Sequence, residues 1–128
     1  MMNEYLRKAE EALKSARILL DAQDHTGAAN RAYYVVFHAA RAAVAHVAAV
    51  QPTKIKTHQG LRRLFELHIV KPGLISRDIA RNFNDIEQTR IAADYEEQVL
   101  QRAEVEAAIH DADAFVQACE LMIRNKAP

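Results

Sequence analysis

Cysteine, glycine and proline are scarce in this chain of 128 residues, and tryptophan is absent. Cys119 is the single cysteine, so the sequence excludes an internal disulfide and a multi-cysteine zinc site. One free cysteine is also typical of the reducing cytoplasm, where we expect the protein to work. Glycine and proline contribute three residues each, under half of their average combined usage of about 12%. Such a composition favours long helices over short strands and turns.

Long apolar runs and the short motifs of several enzyme classes are also missing. A membrane-spanning helix needs about 20 mainly apolar residues, and the most apolar stretch, residues 39–50, is interrupted by Arg41 and His46. Residues 1–8 carry charges with no apolar region behind them, so no secretory signal is expected. The glycines are isolated, which excludes a glycine-rich phosphate loop, and neither Gly-x-Ser-x-Gly nor His-Glu-x-x-His occurs. We therefore expect no membrane contact, no metal and no cofactor.

Alanine is abundant, with 24 residues, and the apolar positions recur with the period of a helix. This spacing predicts five helices, at about residues 3–22, 28–50, 57–68, 76–90 and 103–124. Short loops and the absence of any strand signal predict an all-α fold, an up-and-down antiparallel bundle of four to five helices in one domain, residues 1–128. The second helix is apolar nearly all round, so we expect it at the centre of the bundle or in the seam of a symmetric homodimer.

The net charge of zero hides a strong asymmetry along the chain. Residues 41–81 carry eight Lys or Arg against two acids, whereas residues 82–120 carry ten acids against two Arg. The basic segment could bind an anionic polymer, or it could pair with the acidic segment of a second subunit. Alternatively, these charges simply form solvated helix faces.

The second helix carries a polar stripe opposite its alanine-rich face. At 100° per residue, the stripe consists of Arg31, Tyr34, His38 and Arg41. An arginine that holds a phosphate beside a histidine that exchanges a proton could support metal-independent RNA cleavage. Arg31 could equally be a partner in a buried ion pair and His38 a hydrogen-bonded core histidine.

Two further groups could bind a ligand. At the end of the fourth helix, Arg90 and Asp94 are spaced for a local ion pair, followed by Tyr95, and Asp94 could instead pair with Arg31 across the bundle. A basic patch surrounds the loop before the third helix and the helix itself: Lys54, Lys56, His58, Arg62 and Arg63. The patch could hold a phosphate backbone, but no aromatic residue lies among these charges to stack on bases.

Four motifs in chain order carry a family resemblance. They are Arg31-Ala32-Tyr33-Tyr34 continuing to Phe37-His38, Thr57-His58-Gln59-Gly60-Leu61 with Phe65, Val70-Lys71-Pro72-Gly73-Leu74, and Arg90 with Ala93-Asp94-Tyr95. Together they span roughly residues 5–123 and resemble the HEPN domains of the small stand-alone prokaryotic branch, which includes toxin-like proteins. The resemblance implies a helical bundle that forms a homodimer.

The resemblance also implies a function. Many such proteins are toxin-like ribonucleases that act beside a small nucleotidyltransferase antitoxin, and they cleave RNA without metal through an Arg followed a few residues later by a His. Arg31 and His38 satisfy that pattern. In catalytic members the pattern lies late in the domain, near the position of Arg90, and here no histidine follows Arg90 until His110. We therefore expect a protein that binds RNA or nucleotide; a ribonuclease and a noncatalytic interaction module are the alternatives.

Overall fold

The computed structural model describes residues 3–95 and 99–125 of the chain. Within these residues the secondary structure is entirely helical, which confirms the predicted all-α bundle. The helices are α1 (Glu4–Asp21), α2 (His25–Ala48), α3 (His58–Phe65), α4 (Arg77–Ala93) and α5 (Arg102–Asn125). A 3₁₀ turn (Pro52–Lys54) precedes α3, and a π-helical stretch (Glu66–Val70) continues it.

The connection between α1 and α2 is shorter than the sequence predicts. Asp24 and Gly27 indicate a turn, and the predicted second helix therefore begins only at residue 28 and runs to residue 50. In the structure Asp24 is the N-cap of α2, and its Oδ1 accepts a hydrogen bond from the backbone N–H of Gly27 at 2.8 Å. Gln23 adopts a left-handed backbone with φ of 65°, which lets the chain reverse direction immediately before this cap.

The predicted starts of α3 and α4 are confirmed, and in both the residue at the predicted start is the N-cap. Thr57 Oγ1 accepts from the N–H of Gly60 at 2.9 Å, and Ser76 Oγ accepts from the N–H of Ile79 at 3.3 Å. A Cβ atom at position 60 would lie 2.7 Å from Thr57 Oγ1, so glycine leaves the most room for this cap. Between these helices the chain turns at Gly73, whose φ of 81° is readily adopted only by glycine.

Helix α2 lies at the centre of the bundle, in contact with α1, α3, α4 and α5. Its small side chains let the neighbouring helices approach closely, because alanine adds little bulk between two helix axes. On the alanine-rich face predicted opposite the polar stripe, the buried alanines are Ala29, Ala32, Ala40 and Ala43. Valines on the same helix, including Val35, Val36 and Val44, are also fully buried. The prediction that this helix is central is confirmed.

An aromatic cluster forms where α3, α4 and α5 contact one another, and it consists of Phe65, Phe83 and Phe115. Phe65 stacks on Phe115 with ring centroids 5.4 Å apart, and Phe83 meets Phe115 edge-on at 5.8 Å. Such pairs contribute about 0.5–1.5 kcal/mol beyond the burial of their area. Cys119 is fully buried, and burial raises the pKa of its thiol, so it is a packing residue rather than a nucleophile.

Helix α4 ends at Ala93, and its C-cap residue Asp94 donates its backbone N–H to Ile91 O at 3.1 Å. The sequence predicts a turn over residues 94–101, and part of it, residues 96–98, lies outside the described residues. In the described part of the chain, no helix has the length and hydropathy needed to cross a lipid bilayer.

Candidate functional site

One face of α2 remains partly open to solvent, whereas most other side chains in the middle of the helix are buried. Spacings of three and four residues place its side chains in one line. We call this line the α2 row: Arg31, Tyr34, His38 and Arg41. All four side chains are half-buried, so the predicted stripe does share one face. On the α1 side the row is flanked by Tyr5, whose ring centroid is 6.2 Å from that of His38.

His38 is held in its neutral form. Burial, and after it the positive charges of Lys8, Arg41 and Arg31 in that order, together lower its pKa to about 4. The Nδ1 atom of His38 is buried and has no hydrogen-bond partner. A buried polar atom without a partner costs free energy, and such atoms concentrate where a ligand completes the bonding.

Arg41 is fixed by its surroundings but is not neutralised by them. Its Nη2 donates to the carbonyl oxygen of Pro52 at 2.7 Å, and its guanidinium lies 4.8 Å from the ring centre of Tyr5 and 5.3 Å from that of Phe37. The Nε atom of Arg41 is buried without an acceptor. Arg31 lies 5.3 Å from the ring centre of Tyr34. Over residues 3–95 and 99–125, neither arginine forms an ion pair with a carboxylate.

A second group, the Tyr33 cluster, lies beside the α2 row where α2 meets α3 and α4, and consists of Asn30, Tyr33, His58 and Arg90. Tyr33 is fully buried, and its hydroxyl is 2.7 Å from His58 Nδ1. The guanidinium of Arg90 lies 4.8 Å from the ring centre of Tyr33, and its Nε donates to Asn30 Oδ1 at 3.2 Å. The cluster thus joins α2, α3 and α4 through side chains.

Burial sets the protonation states in the Tyr33 cluster. It raises the pKa of Tyr33, with a smaller effect from Glu87 in the same direction, so the hydroxyl keeps its proton. Burial also lowers the pKa of His58; Arg90 lowers it further and Glu87 opposes the change. A protonated Tyr33 hydroxyl and a neutral His58 ring therefore share this hydrogen bond, and its direction depends on the His58 tautomer.

A groove of about 750 Å³ runs between α3 and α4, with His58 at one end. The residues of the predicted basic patch differ here in whether their charge is paired. Arg62 pairs with Glu87, and its Nη2 also donates to Asn84 Oδ1 at 2.9 Å, so its charge is partly compensated. Arg63 and the two lysines of the patch, Lys54 and Lys56, are exposed.

The ion pairs predicted for Asp94 do not form in the described part of the chain. Asp94 lies just after the last residue of α4, and its side chain is exposed. Arg31 packs against the ring of Tyr34, and Arg90 donates a hydrogen bond to Asn30. The i,i+4 spacing holds only within a helix, and Asp94 is the first residue outside it. Tyr95 is also exposed.

Asn30, Tyr33 and Glu87 were not predicted as site residues, and His58 was assigned only to the basic patch. Their contacts join residues 25 and 60 positions apart, which no local spacing reveals. One local signal exists for His58, because it directly follows the Thr57 cap and is therefore fixed at the start of α3. Among the residues that the structure describes, no three His, Cys, Asp or Glu side chains are grouped to hold a metal ion.

The fold and the site define an all-α bundle with a cationic row on its central helix. The model of the HEPN domain matches residues 2–122. The chain is 32% identical over 117 residues to "Putative toxin MJ0605" of Methanocaldococcus jannaschii, covering 91% of this chain and 84% of that protein. It is also 28% identical over 120 residues to a UPF0332 protein of Thermotoga maritima, covering 93% and 88%. The chain therefore belongs to the HEPN domain family, as the motifs predict.

Proposed function

We propose that this HEPN protein binds RNA or a nucleotide through the α2 row. The observation that carries the proposal is the pair of buried, unpartnered nitrogens, His38 Nδ1 and Arg41 Nε, in a row where Lys8, Arg31 and Arg41 are the charges that act on His38. A phosphate group supplies the acceptors and the negative charge that such a row lacks. The row is open to solvent, so a ligand can reach it.

Binding is favoured over cleavage by the state of His38. A general base works best with a pKa near the working pH, and His38 has a pKa of about 4. The ribonuclease is the second candidate function, and the geometry that favours it is the shared face of Arg31 and His38. In that version a bound phosphate raises the pKa of His38, and Arg31 stabilises the charge of the transition state.

The proposal includes two partners. A second copy of the chain would form a homodimer, and a small nucleotidyltransferase-like protein would act with it as an antitoxin. The relative named as a toxin supports the second partner. Light scattering coupled to size-exclusion chromatography tests the first, and co-purification with a nucleotidyltransferase encoded by a neighbouring gene tests the second.

The function is tested by titrating the purified protein with a fluorescently labelled single-stranded RNA and with AMP. We expect Arg41→Gln and Arg31→Gln each to weaken binding roughly tenfold, the usual effect of losing one charged hydrogen bond. Arg81→Gln is the matched control, because Arg81 is exposed on α4 and pairs only with Asp78 in the described residues. Equal affinity of all four proteins would refute the role of the row.

A cleavage assay in excess chelator separates the two candidate functions. Labelled structured RNA is incubated with the wild type and with Arg31→Ala, His38→Ala and Arg90→Ala, after the folding of each variant is checked by thermal melting. We expect binding without cleavage. Cleavage that disappears in folded Arg31→Ala and His38→Ala would instead establish the ribonuclease, and loss only in Arg90→Ala would move its site to α4.

A further inference from the structure

A furrow between the first turn of α4 and the last turns of α5 lies outside the sites described above. It has a volume of about 510 Å³, and a second depression of about 470 Å³ continues it along α5 and shares Ala118 and Leu121 with it. We call the two together the α4–α5 furrow. None of its residues belongs to the α2 row or to the Tyr33 cluster. Its apolar side chains include Leu74, Ile79, Ala118, Leu121 and Met122.

Leu121 is the most exposed apolar side chain of this furrow. It lines both depressions and is 53% exposed, whereas leucine is among the residue types most often buried. Leu74, Ile79 and Ala118 lie around it and are half-buried. Exposed apolar side chains that share one concave surface mark interaction sites more often than isolated ones do. The furrow is therefore a candidate surface for a protein partner.

The shape of the furrow fits a helix. The α5 residues that line it, Ala118, Leu121, Met122 and Asn125, recur at spacings of three, four and seven positions. Such a stripe follows the axis of α5 for about two turns. A partner helix can lie along the stripe and place its own apolar side chains between those of α5 and α4.

Two other common modes of peptide binding lack what they need here. An added β-strand pairs with an open sheet edge, and the described residues contain no strand. A proline-rich segment binds between aromatic rings, and no aromatic side chain of the described chain lines the furrow.

The side chains around the furrow leave positive charge uncompensated. Arg124 lines it and forms no ion pair among the described residues. Arg77 directly follows the furrow residue Ser76, and its one ion pair in the described chain joins two side chains that are both more than half exposed, so solvent screens it. Burial, and then the hydrogen bond to Glu10, raise the pKa of Glu120 to about 7, so this carboxyl carries only part of its charge at neutral pH.

This charge favours an acidic partner over a second copy of the chain. Two furrows that face each other across a two-fold axis would bring two copies of Arg77 and of Arg124 together. Like charges at an interface oppose association, whereas carboxylates on a partner complement the two arginines.

We propose that the α4–α5 furrow is the docking surface for an amphipathic, acidic helix of a partner protein. Apolar side chains of this helix, spaced by three, four and seven positions, cover Leu121, and its carboxylates meet Arg124 and Arg77. The proposal is independent of the ligand of the α2 row, because the two surfaces share no residue.

The probe for this surface is a fluorescently labelled helical peptide of about four turns, stapled on its polar face, with leucines at these spacings and glutamates beside them. A second peptide carries lysine in place of each glutamate. Fluorescence anisotropy with the full chain measures both affinities. We expect the acidic peptide to bind at least about tenfold more tightly than the basic one.

Variants of the chain locate the binding. Leu121→Glu should weaken binding of the acidic peptide at least about tenfold, and Leu121→Ala should change it in the same direction. Ile18→Glu is the matched control, because Ile18 is 58% exposed but does not line the furrow. Arg124→Gln should reduce the preference for the acidic peptide about threefold, whereas Arg81→Gln should preserve it. Thermal melting verifies that each variant is folded.

Several outcomes would overturn the proposal. They are an absence of peptide binding, equal affinities for the two peptides, and an affinity that folded Leu121→Glu and Leu121→Ala leave unchanged. A dimer measured by light scattering that Leu121→Glu converts to a monomer, and Ile18→Glu does not, would also overturn it, because a second copy would then occupy the furrow.

Discussion

The hydroxyl of Tyr33 lies 2.7 Å from Nδ1 of His58, and this hydrogen bond ties the buried centre of α2 to the first residue of α3. Tyr33 is the largest fully buried side chain in the described core. A phenol at that depth needs a hydrogen-bond partner, because a buried hydroxyl without one costs roughly 1–3 kcal/mol. The contact therefore stabilises the position of α3 and fixes the orientation of the His58 ring at the same time.

Replacing Tyr33 by phenylalanine should remove this hydrogen bond and leave the ring packing intact. We expect Tyr33→Phe to lower the free energy of unfolding by about 1 kcal/mol and the melting temperature by about 4 °C. Denaturant unfolding followed by circular dichroism measures the first quantity. In the same variant, the ¹⁵N signals of His58 should shift toward a mixture of the two tautomers, because the hydrogen bond to Tyr33 that favours one of them is gone.

The control for this prediction is Tyr34→Phe. Tyr34 is the neighbouring residue and is half-buried on the α2 row, with no hydrogen bond from its hydroxyl to the described residues. We expect its stability to stay within about 0.5 kcal/mol of the wild type. Equal stability of the two variants would contradict the role assigned to the Tyr33 hydroxyl.

Periodicity and capping chemistry were enough to predict most of the fold. Thr57 and Ser76 mark helix starts because their side chains satisfy backbone N–H groups that have no other partner. The start of α2 was misplaced because Asp24 and Gly27 are typical both of a turn and of a helix N-terminus, and local sequence does not distinguish the two.

The candidate site was only partly accessible from the sequence. The four residues of the α2 row lie on one helix at spacings of three and four positions, so their shared face could be predicted from the sequence. The Tyr33 cluster depends on how α3 and α4 pack against α2, and the bond between Arg90 and Asn30 spans 60 positions. The expected local pair of Asp94 with Arg90 depends on helical spacing, whereas α4 ends at Ala93, and the pair with Arg31 depends on packing across the bundle.

The ion pair between Arg62 and Glu87 should couple α3 to α4. The side chains are 38% and 14% exposed, so solvent screens the pair only in part. A double-mutant cycle of Arg62→Ala and Glu87→Ala should give a coupling energy of about 0.5–1 kcal/mol in denaturant unfolding, near the upper end for ion pairs at a surface. A coupling energy of zero would show that the pair does not hold the helices together.

The same pair separates Arg62 from Arg63 as ligands of RNA. Because Glu87 and Asn84 already engage the guanidinium of Arg62, it has fewer donors free for a phosphate than the exposed Arg63. The quantity to measure is the slope of log RNA affinity against log salt concentration. We expect Arg63→Gln to reduce the magnitude of this slope more than Arg62→Gln does. Equal slopes for these two variants would contradict the expectation.

A pair of carboxyl groups between α1 and α5 should make stability depend on pH. Burial first, and then the hydrogen bond to Glu10 and the charges of Glu10 and Asp113, raise the pKa of Glu120 to about 7 against the opposing charge of Arg124. Two carboxyl groups can share a hydrogen bond only while one keeps its proton. The Oε1 atom of Glu120 is buried and has no hydrogen-bond partner among the described residues.

The direction of this effect follows from linkage. The folded protein keeps the Glu120 proton up to about pH 7, whereas an unfolded chain releases it near pH 4.3. The stabilisation is therefore complete below pH 4 and is lost as the pH rises to 7. Glu120→Gln should remove this dependence and melt at a higher temperature than the wild type at pH 8. Glu11→Gln, on the exposed face of α1, is the control and should retain the wild-type dependence.

The neutral state of His38 provides a direct test of the α2 row. Its pKa of about 4 results from burial and from the positive charges of Lys8, Arg41 and Arg31. A phosphate bound in the row would offset those charges and favour the imidazolium, so its pKa should rise. NMR titration of the His38 ring protons, without and with inorganic phosphate, measures this change. His110, which is exposed on α5, is the internal control, and phosphate should leave its signals in place. A pKa of His38 that is identical with and without saturating phosphate would mean that the row does not bind phosphate.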